Sequence, residues 1–208
     1  MVPWSKNHIA IKPSNHMMKH SGYLEVIAGP MYCGKTEELI RQVKRATIGK
    51  KKVQVFKPSI DLRYGKDKKL YSHAGLTFDS EMVTSAEEIL PLVARNTDIV
   101  GIDEAQHMGE ALIGVVETLL SQDKQVIVTG LALTFDRQPF TPVPELMAMA
   151  DKVTKLSSIC IVCGAEAVYH KRVGTVKSKA NALEPDPAFV AKLADATFEA
   201  RCRECWGK

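Results

Sequence analysis

A short segment near the start of the chain has the residue types and spacing of a phosphate-binding loop. Residues 29–36 follow the pattern G-x-x-x-x-G-K-T. Glycines let backbone N–H groups curve around phosphate oxygens, and a helix that begins at such a loop adds its positive dipole end. Lys35 would reach the β- and γ-phosphates of ATP, and the Thr36 hydroxyl would ligate Mg²⁺. The residues of this predicted ATP-binding loop are Gly29, Pro30, Met31, Tyr32, Cys33, Gly34, Lys35 and Thr36.

A pair of carboxylates follows an apolar run further along the chain. The segment from Ile99 ends in Asp103 and Glu104. A carboxylate at the C-terminal end of a strand is the partner that a phosphate loop needs, so Asp103 would complete the magnesium shell with Thr36. Glu104 points the other way along the pleat and is available as a base. Many P-loop ATPases use such a glutamate on water, so the pair supports nucleotide chemistry and leaves the acceptor open.

Four of the five cysteines form two C-x-x-C pairs, separated by 38 residues. Each short turn lets two thiolates face one ion, which suits a tetrahedral structural zinc site. The alternative, two disulfides or four buried thiols, is disfavoured in a chain otherwise poor in cysteine. Cys33 stands apart and is interpreted as a small filler of the phosphate loop rather than a nucleophile. The predicted zinc ligands are Cys160, Cys163, Cys202 and Cys205.

The elements that must position these groups alternate between strands and helices. Apolar runs at residues 23–28, 52–56, 98–103 and 124–129 predict strands. Amphipathic patterns at 35–48, 109–121 and 144–150 predict helices, and residues 153–157 lead into the first cysteine pair. This alternation implies βαβ units. We therefore predict an α/β fold: a P-loop NTPase core with a mainly parallel sheet flanked by helices, plus a small zinc-binding subdomain.

Length, composition and charge bound the possibilities further. The chain has 208 residues, 45% of them apolar and 25% charged, with a net charge of +4. This is the balance of a globular protein with one core domain and a small appendage. The charge is too weak and dispersed to indicate nucleic-acid binding, and no apolar run is long enough for a membrane span or signal peptide. We expect a cytoplasmic protein with a loose extension at 1–21, a core at 22–158 and a zinc subdomain at 159–208.

Taken in order, these segments resemble those of the type II thymidine kinases. Linked segments at family-like spacing are more specific than any single motif, and the resemblance runs from about Gly22 to Trp206. The matching segments are 29–41 (GPMYCGKTEELIR), 57–64 (KPSIDLRY), 72–75 (SHAG), 103–106 (DEAQ), 130–140 (GLALTFDRQPF), 155–163 (KLSSICIVC) and 202–205 (CREC).

The resemblance implies an ATP-dependent kinase that phosphorylates the 5′-hydroxyl of thymidine, often as a homotetramer, with zinc in a structural role. Glu104 resembles the catalytic base, and Arg63 would steady the transferring phosphoryl charge. Met31 and Phe135 resemble residues beside the thymine base, although either also fits a core position. The segment Asp103, Glu104, Ala105 and Gln106 would contact the nucleotide, and Gln106 would help to position nucleotide or substrate.

Between the two cysteine pairs the sequence departs from the family pattern. The family has a lasso there that closes over the nucleoside, with a Gly-Gly step that bonds the base and a tyrosine near the second pair. Residues 191–202 read AKLADATFEARC, with no Gly-Gly and with Phe198 where the tyrosine is expected. His170 stands where the family has threonine. Loss of glycine blocks close backbone approach to a ligand, so the sequence indicates phosphate chemistry more directly than base specificity.

Two further interpretations remain open from the sequence. One is a P-loop ATPase whose zinc ribbon binds nucleic acid, with Glu104 activating water. The low aromatic content of 6% and the lack of a basic stripe weigh against it. The other is a family member that acts on a different nucleoside because of its altered lasso. The preferred reading is a thymidine kinase with Phe198 among its substrate-contacting residues and no nucleic-acid or membrane partner.

Overall fold

A computed structural model of the chain describes residues 22–59, 69–72, 75–173 and 197–208. The predicted N-terminal extension, Arg63 and most of the lasso lie outside the described residues. Among the described residues, no helix is both long and apolar enough to cross a membrane.

The core is a six-stranded sheet in which every neighbouring pair is parallel. Its order in space is β5-β2-β6-β7-β1-β8. The apolar runs form strands because they are buried on both faces, as a parallel sheet requires. The strands are β1 (Tyr23–Ala28), β2 (Val53–Pro58), β5 (Glu81–Val83), β6 (Ile99–Ile102), β7 (Gln125–Gly130) and β8 (Lys152–Lys155).

Helices cover both faces of this sheet. On one face α1 (Lys35–Ile48) buries Leu39, Ile40 and Val43. These residues recur at helical spacing, so one stripe of α1 meets the sheet. The helices against the other face are α2 (Ile89–Leu92), α3 (Ala111–Ser121) and α4 (Val143–Met149), with one-turn 3₁₀ helices at Ala86–Glu88 and Ala105–His107.

Short strands extend the fold beyond the main sheet. The pairs β9–β10 and β11–β12 are antiparallel and bring the two cysteine segments together. A third antiparallel pair, β3–β4, follows β2 in the chain. The bounds are β3 (Lys69–Tyr71), β4 (Thr77–Asp79), β9 (Ser158–Ile159), β10 (Glu166–Ala167), β11 (Tyr169–Val173) and β12 (Thr197–Arg201).

The predicted α/β class and mainly parallel sheet are confirmed. Each predicted strand and helix is present; β1 and α1 have the predicted ends, and the ends of the others differ by at most two residues. The segment at 153–157 was predicted only as a connection, and it contains β8, which pairs in parallel with β1 and forms an edge of the sheet. Its alternation of exposed and half-buried residues is weak, because β8 is an edge strand with little apolar surface to bury.

Candidate active site

The phosphate loop begins where β1 ends and turns directly into α1. A Cβ atom at Gly29 would lie 2.5 Å from Cys33 Sγ and 2.7 Å from the Leu156 carbonyl oxygen, so only glycine fits there. Gly34 has φ 83°, a left-handed conformation that L side chains disfavour. Glycine is therefore required at position 29 because no side chain fits there, and it is favoured at position 34 because the backbone is left-handed.

Lys35 extends back over the loop that it terminates. Its Nζ donates a hydrogen bond to the Pro30 carbonyl oxygen at 2.8 Å and lies 3.8 Å from Cys33 Sγ. Burial raises the pKa of the Cys33 thiol even though Lys35 acts to lower it. A neutral thiol is a poor nucleophile, which agrees with the interpretation of Cys33 as a filler of the loop.

Asp103 follows β6, and its carboxylate is buried beside the start of α1. The Thr36 hydroxyl donates to its two oxygens at distances of 3.3 and 3.1 Å. Thr129, on the neighbouring strand β7, also donates its hydroxyl to Asp103. A carboxylate and a hydroxyl form an oxygen set of the kind that Mg²⁺ prefers. The structure brings together Thr36 and Asp103, the two residues that the sequence analysis predicts as ligands of that ion.

Glu104 directs its carboxylate differently from Asp103 because its backbone is left-handed, with φ 52°. This conformation is uncommon for a residue other than glycine. Gln106 Nε2 donates to Glu104 Oε2 at 2.5 Å, and Gln106 Oε1 accepts a hydrogen bond from the Leu131 backbone N–H at 2.9 Å. The side-chain hydroxyls of Thr36 and Thr129 thus bond Asp103, whereas the Gln106 amide bonds Glu104.

Aromatic residues from two distant segments meet at the end of the loop that follows β7. The ring centroids of Phe135 and Phe198 lie 6.2 Å apart, and the Arg172 guanidinium is 4.6 Å from the centre of the Phe135 ring. His170 packs edge-on against Phe198 at 5.9 Å. Burial, together with the positive charge of Lys35, lowers the pKa of His170 to about 4. His170 and the first two residues of the phosphate loop line one cavity, so this cluster lies beside the loop.

A cavity of about 230 Å³ is lined by His170 and by the start of the phosphate loop, whereas the predicted substrate residues Met31, Phe135 and Phe198 are not among its lining residues. Its wall is mostly apolar, which suits the body of a small organic ligand. Gly29 and Pro30 contribute the phosphate-loop side, and His170 the opposite side. The other lining residues are Ala132, Leu133, Pro139, Pro144, Met147, Lys155 and Val168.

The four paired cysteines converge at the C-terminal end of the fold. All four sulfur atoms lie within 4.8 Å of one another, and Cys163 Sγ is 3.6 Å from Cys202 Sγ. Tetrahedral zinc with bonds of about 2.3 Å requires sulfur–sulfur distances of about 3.8 Å. The cluster therefore fits a zinc ion held by four cysteines.

The thiols of this cluster differ in acidity. Burial raises the pKa of Cys160, but backbone N–H groups that include that of Cys202 outweigh burial and lower it to about 6. Contacts with the Cys202 and Cys163 side chains raise the pKa of Cys205 to about 12. Zinc binding requires deprotonated thiols, so the ion would have to displace the proton of Cys205.

Of the remaining predicted site residues, the structure describes Met31, Tyr32 and Ala105 but not Arg63. Met31 is half-buried in the phosphate loop, Tyr32 is exposed, and Ala105 is buried behind Glu104. Arg63 lies outside the described residues. Sequence analysis did not single out Thr129 or Arg172. The position of Thr129 at the end of a predicted strand was a usable signal, since such ends border the site in parallel sheets.

Together, the parallel sheet, the glycine loop and the Thr36–Asp103 pair define a protein with the P-loop fold. A family profile described as Thymidine kinase matches residues 22–206. The chain belongs to the thymidine kinase family, and it is an enzyme that phosphorylates a nucleoside, thymidine. Among solved structures it is similar to the flagellar accessory protein FlaH from Methanocaldococcus jannaschii, with 15% identity, 70% of this chain and 75% of that chain covered, and a TM-score of 0.47.

Proposed function

We propose that the protein transfers the γ-phosphoryl group of ATP to the 5′-hydroxyl of thymidine and yields dTMP and ADP. The observation that carries this proposal is the position of Glu104, one residue beyond the carboxylate that bonds the phosphate-loop threonine. A base at this position is close to the phosphate that a P-loop holds. Its separate orientation allows it to act on an acceptor hydroxyl instead of on the metal.

The phosphate loop and Asp103 would bind the phosphates of ATP and the magnesium ion. Lys35 would exchange its bond to the Pro30 carbonyl for the nucleotide phosphates. Magnesium, held by Thr36 and Asp103, would neutralise phosphate charge when bound. Backbone N–H groups at the start of α1 would add their dipole to the same charge. We also retain Arg63 as a further cation for the transferring group.

In the chemical step, Glu104 takes the proton of the 5′-hydroxyl as that oxygen forms a bond to the γ-phosphorus. The bond between the γ-phosphorus and its bridging oxygen breaks, and the electron pair remains on ADP. The protein gains one proton at Glu104 and returns it to solvent after product release. Each turnover therefore breaks one phosphoanhydride bond and releases one proton to solvent.

The nucleoside base would occupy the cavity beside the aromatic cluster. Phe198 packs against His170, which lines this cavity, and we propose that Phe135, Phe198 and Met31 contact the base when the nucleoside is bound. The His170 ring, neutral at physiological pH because its pKa is about 4, would offer one donor and one acceptor to a base edge. We further propose a structural zinc at the cysteine cluster, a homotetramer in the cytoplasm and no nucleic-acid partner.

The proposal is tested by incubating the purified protein with γ-labelled ATP, Mg²⁺ and separate nucleosides, including thymidine, deoxyuridine, deoxycytidine and deoxyguanosine. We expect labelled 5′-monophosphate with thymidine in preference to the others. Product with another nucleoside alone would place altered specificity in the aromatic cluster. Labelled inorganic phosphate without labelled nucleotide would overturn the kinase assignment in favour of an ATPase.

A further inference from the structure

The Gln106 side chain joins Glu104 to the loop after β7. Its side chain is 5% exposed, and both ends of its amide are bonded within the protein. Nε2 donates to Glu104 Oε2 at 2.5 Å, and Oε1 accepts from the Leu131 N–H at 2.9 Å. A group engaged at both ends and shielded from solvent is poorly placed to bind a substrate directly.

The chemistry of its partners fixes the orientation of this amide. The Leu131 N–H can only donate, so the atom that faces it must be the carbonyl oxygen of Gln106. The amide NH₂ then faces Glu104, where an ionised carboxylate can only accept. A flipped amide would set donor against donor at one end and acceptor against acceptor at the other, so a single orientation satisfies both partners.

The space for this bridge is provided by a glycine at the end of β7. A Cβ atom at Gly130 would lie 2.9 Å from Gln106 Oε1 and 2.6 Å from Val143 Cγ2. A second contact links the same two segments, because the His107 and Phe140 rings meet edge-on at 6.1 Å. The 3₁₀ turn that carries Gln106 is therefore held against the loop at both its polar and its aromatic sides.

We propose that Gln106 is a positioning residue that holds the Glu104 carboxylate in its reactive orientation and ties it to the loop that carries Phe135. This inference rests on the proposed role of Glu104 as base. It assigns Gln106 an action through Glu104 instead of a contact with nucleotide or nucleoside. Loss of the bridge should then slow the chemical step and leave substrate binding intact.

Two substitutions at Gln106 distinguish the contributions of its hydrogen bonds to Glu104 and to the Leu131 N–H. Gln106→Glu keeps an oxygen acceptor for the Leu131 N–H but replaces the donor to Glu104 with a like charge. Gln106→Leu removes both bonds at similar volume. Gln42→Leu is the matched control, because Gln42 Nε2 also donates to a carboxylate, that of Glu25 at 2.9 Å, on a part of α1 remote from the proposed base.

We expect kcat to fall roughly 10- to 100-fold in both Gln106 variants, with KM for thymidine and for ATP within about twofold of wild type. Gln42→Leu should keep its kcat. A rise in KM that accounts for the loss would overturn the inference in favour of substrate contact. Normal kcat in Gln106→Glu would also overturn it, since the loop bond alone would then suffice. If Gln106→Leu fails to fold, Gln106→Glu decides the question.

A double-mutant cycle with Glu104→Gln, measured in single turnovers, separates this inference from the proposed function. If Gln106 acts through Glu104, Gln106→Leu should slow the Glu104→Gln enzyme by less than about twofold. If the rate losses of the two single variants multiply in the double variant, the inference is overturned. Full turnover in Glu104→Gln would overturn the base assignment itself, whereas an inactive Glu104→Gln beside fully active Gln106 variants would overturn the positioning role alone.

Discussion

The Thr36 hydroxyl lies 3.1 Å from Asp103 Oδ2, although the two residues are 67 positions apart in the chain. Thr36 begins α1 after β1, and Asp103 follows β6, which is separated from β1 in the sheet by β7. Thr129 on that intervening strand bonds the same carboxylate. Residues that follow β1, end β7 and follow β6 therefore meet at Asp103, so its substitution should disturb the predicted metal site directly.

Replacing Asp103 with asparagine should lower kcat/KM by about 100-fold or more and raise the Mg²⁺ concentration needed for half-maximal activity. The reason is loss of a negative metal ligand that a neutral amide oxygen replaces poorly. The Mg²⁺ requirement is measured by following nucleoside phosphorylation as a function of Mg²⁺ concentration. Asp123→Asn is the control, because Asp123 is exposed and asparagine tolerates its left-handed φ of 59°. An unaltered Mg²⁺ requirement in Asp103→Asn would contradict the assignment.

Glu104→Gln should reduce kcat by about 10²–10⁴-fold, the range typical of a lost general base, while ATP affinity stays within about threefold. The substitution keeps the shape of the side chain but removes the proton acceptor. Turnover is followed by labelled monophosphate, and nucleotide binding by calorimetry. Glu110→Gln, at an exposed carboxylate six residues further on, should keep full activity. Equal turnover in the two variants would exclude Glu104 as the base.

Cys205→Ser should release the metal and lower the melting temperature, because a structural zinc ion contributes its binding free energy to folding. Zinc per chain, measured by elemental analysis, should fall from about one to near zero. Cys33→Ser provides the comparison, since Cys33 lies in the phosphate loop away from the cluster and should retain the metal. Full zinc content in the Cys205 variant would argue against a four-cysteine site.

Stability should fall on acidification because His170 is buried without its proton. Its pKa is about 4 in the folded protein and about 6.5 when unfolded, so the unfolded chain binds more protons between these values. The folded state should lose about 2 kcal/mol from this group between pH 7 and pH 5.

His170→Gln should reduce that pH dependence by a similar amount, while zinc content is monitored to exclude metal loss. Denaturant unfolding of both proteins at the two pH values gives the comparison. The charge of Lys35 acts on His170, and Lys155 lines the same cavity as His170. Equal pH dependence in wild type and variant would show that His170 does not contribute.

Predictions that depend on local features were accurate. The period of apolar residues placed each main helix and strand, because burial on a helix stripe or a sheet face follows directly from backbone repeat. The edge strand β8 was missed, since it buries too little apolar surface to show a period. The short elements between β3 and α2 were also missed, because three- or four-residue segments lack a pattern of their own.

The phosphate-loop motif, the carboxylate pair and the two cysteine pairs are evident from residue types at fixed short spacing. Which of these groups lie in contact became evident from the arrangement of the strands in the sheet. Strand order brought Thr129 to Asp103, and the bridge from Glu104 through Gln106 to Leu131 depends on two segments 25 residues apart. Such contacts arise from packing of whole elements across the sheet, and no local pattern encodes which side chains that packing brings within hydrogen-bond distance.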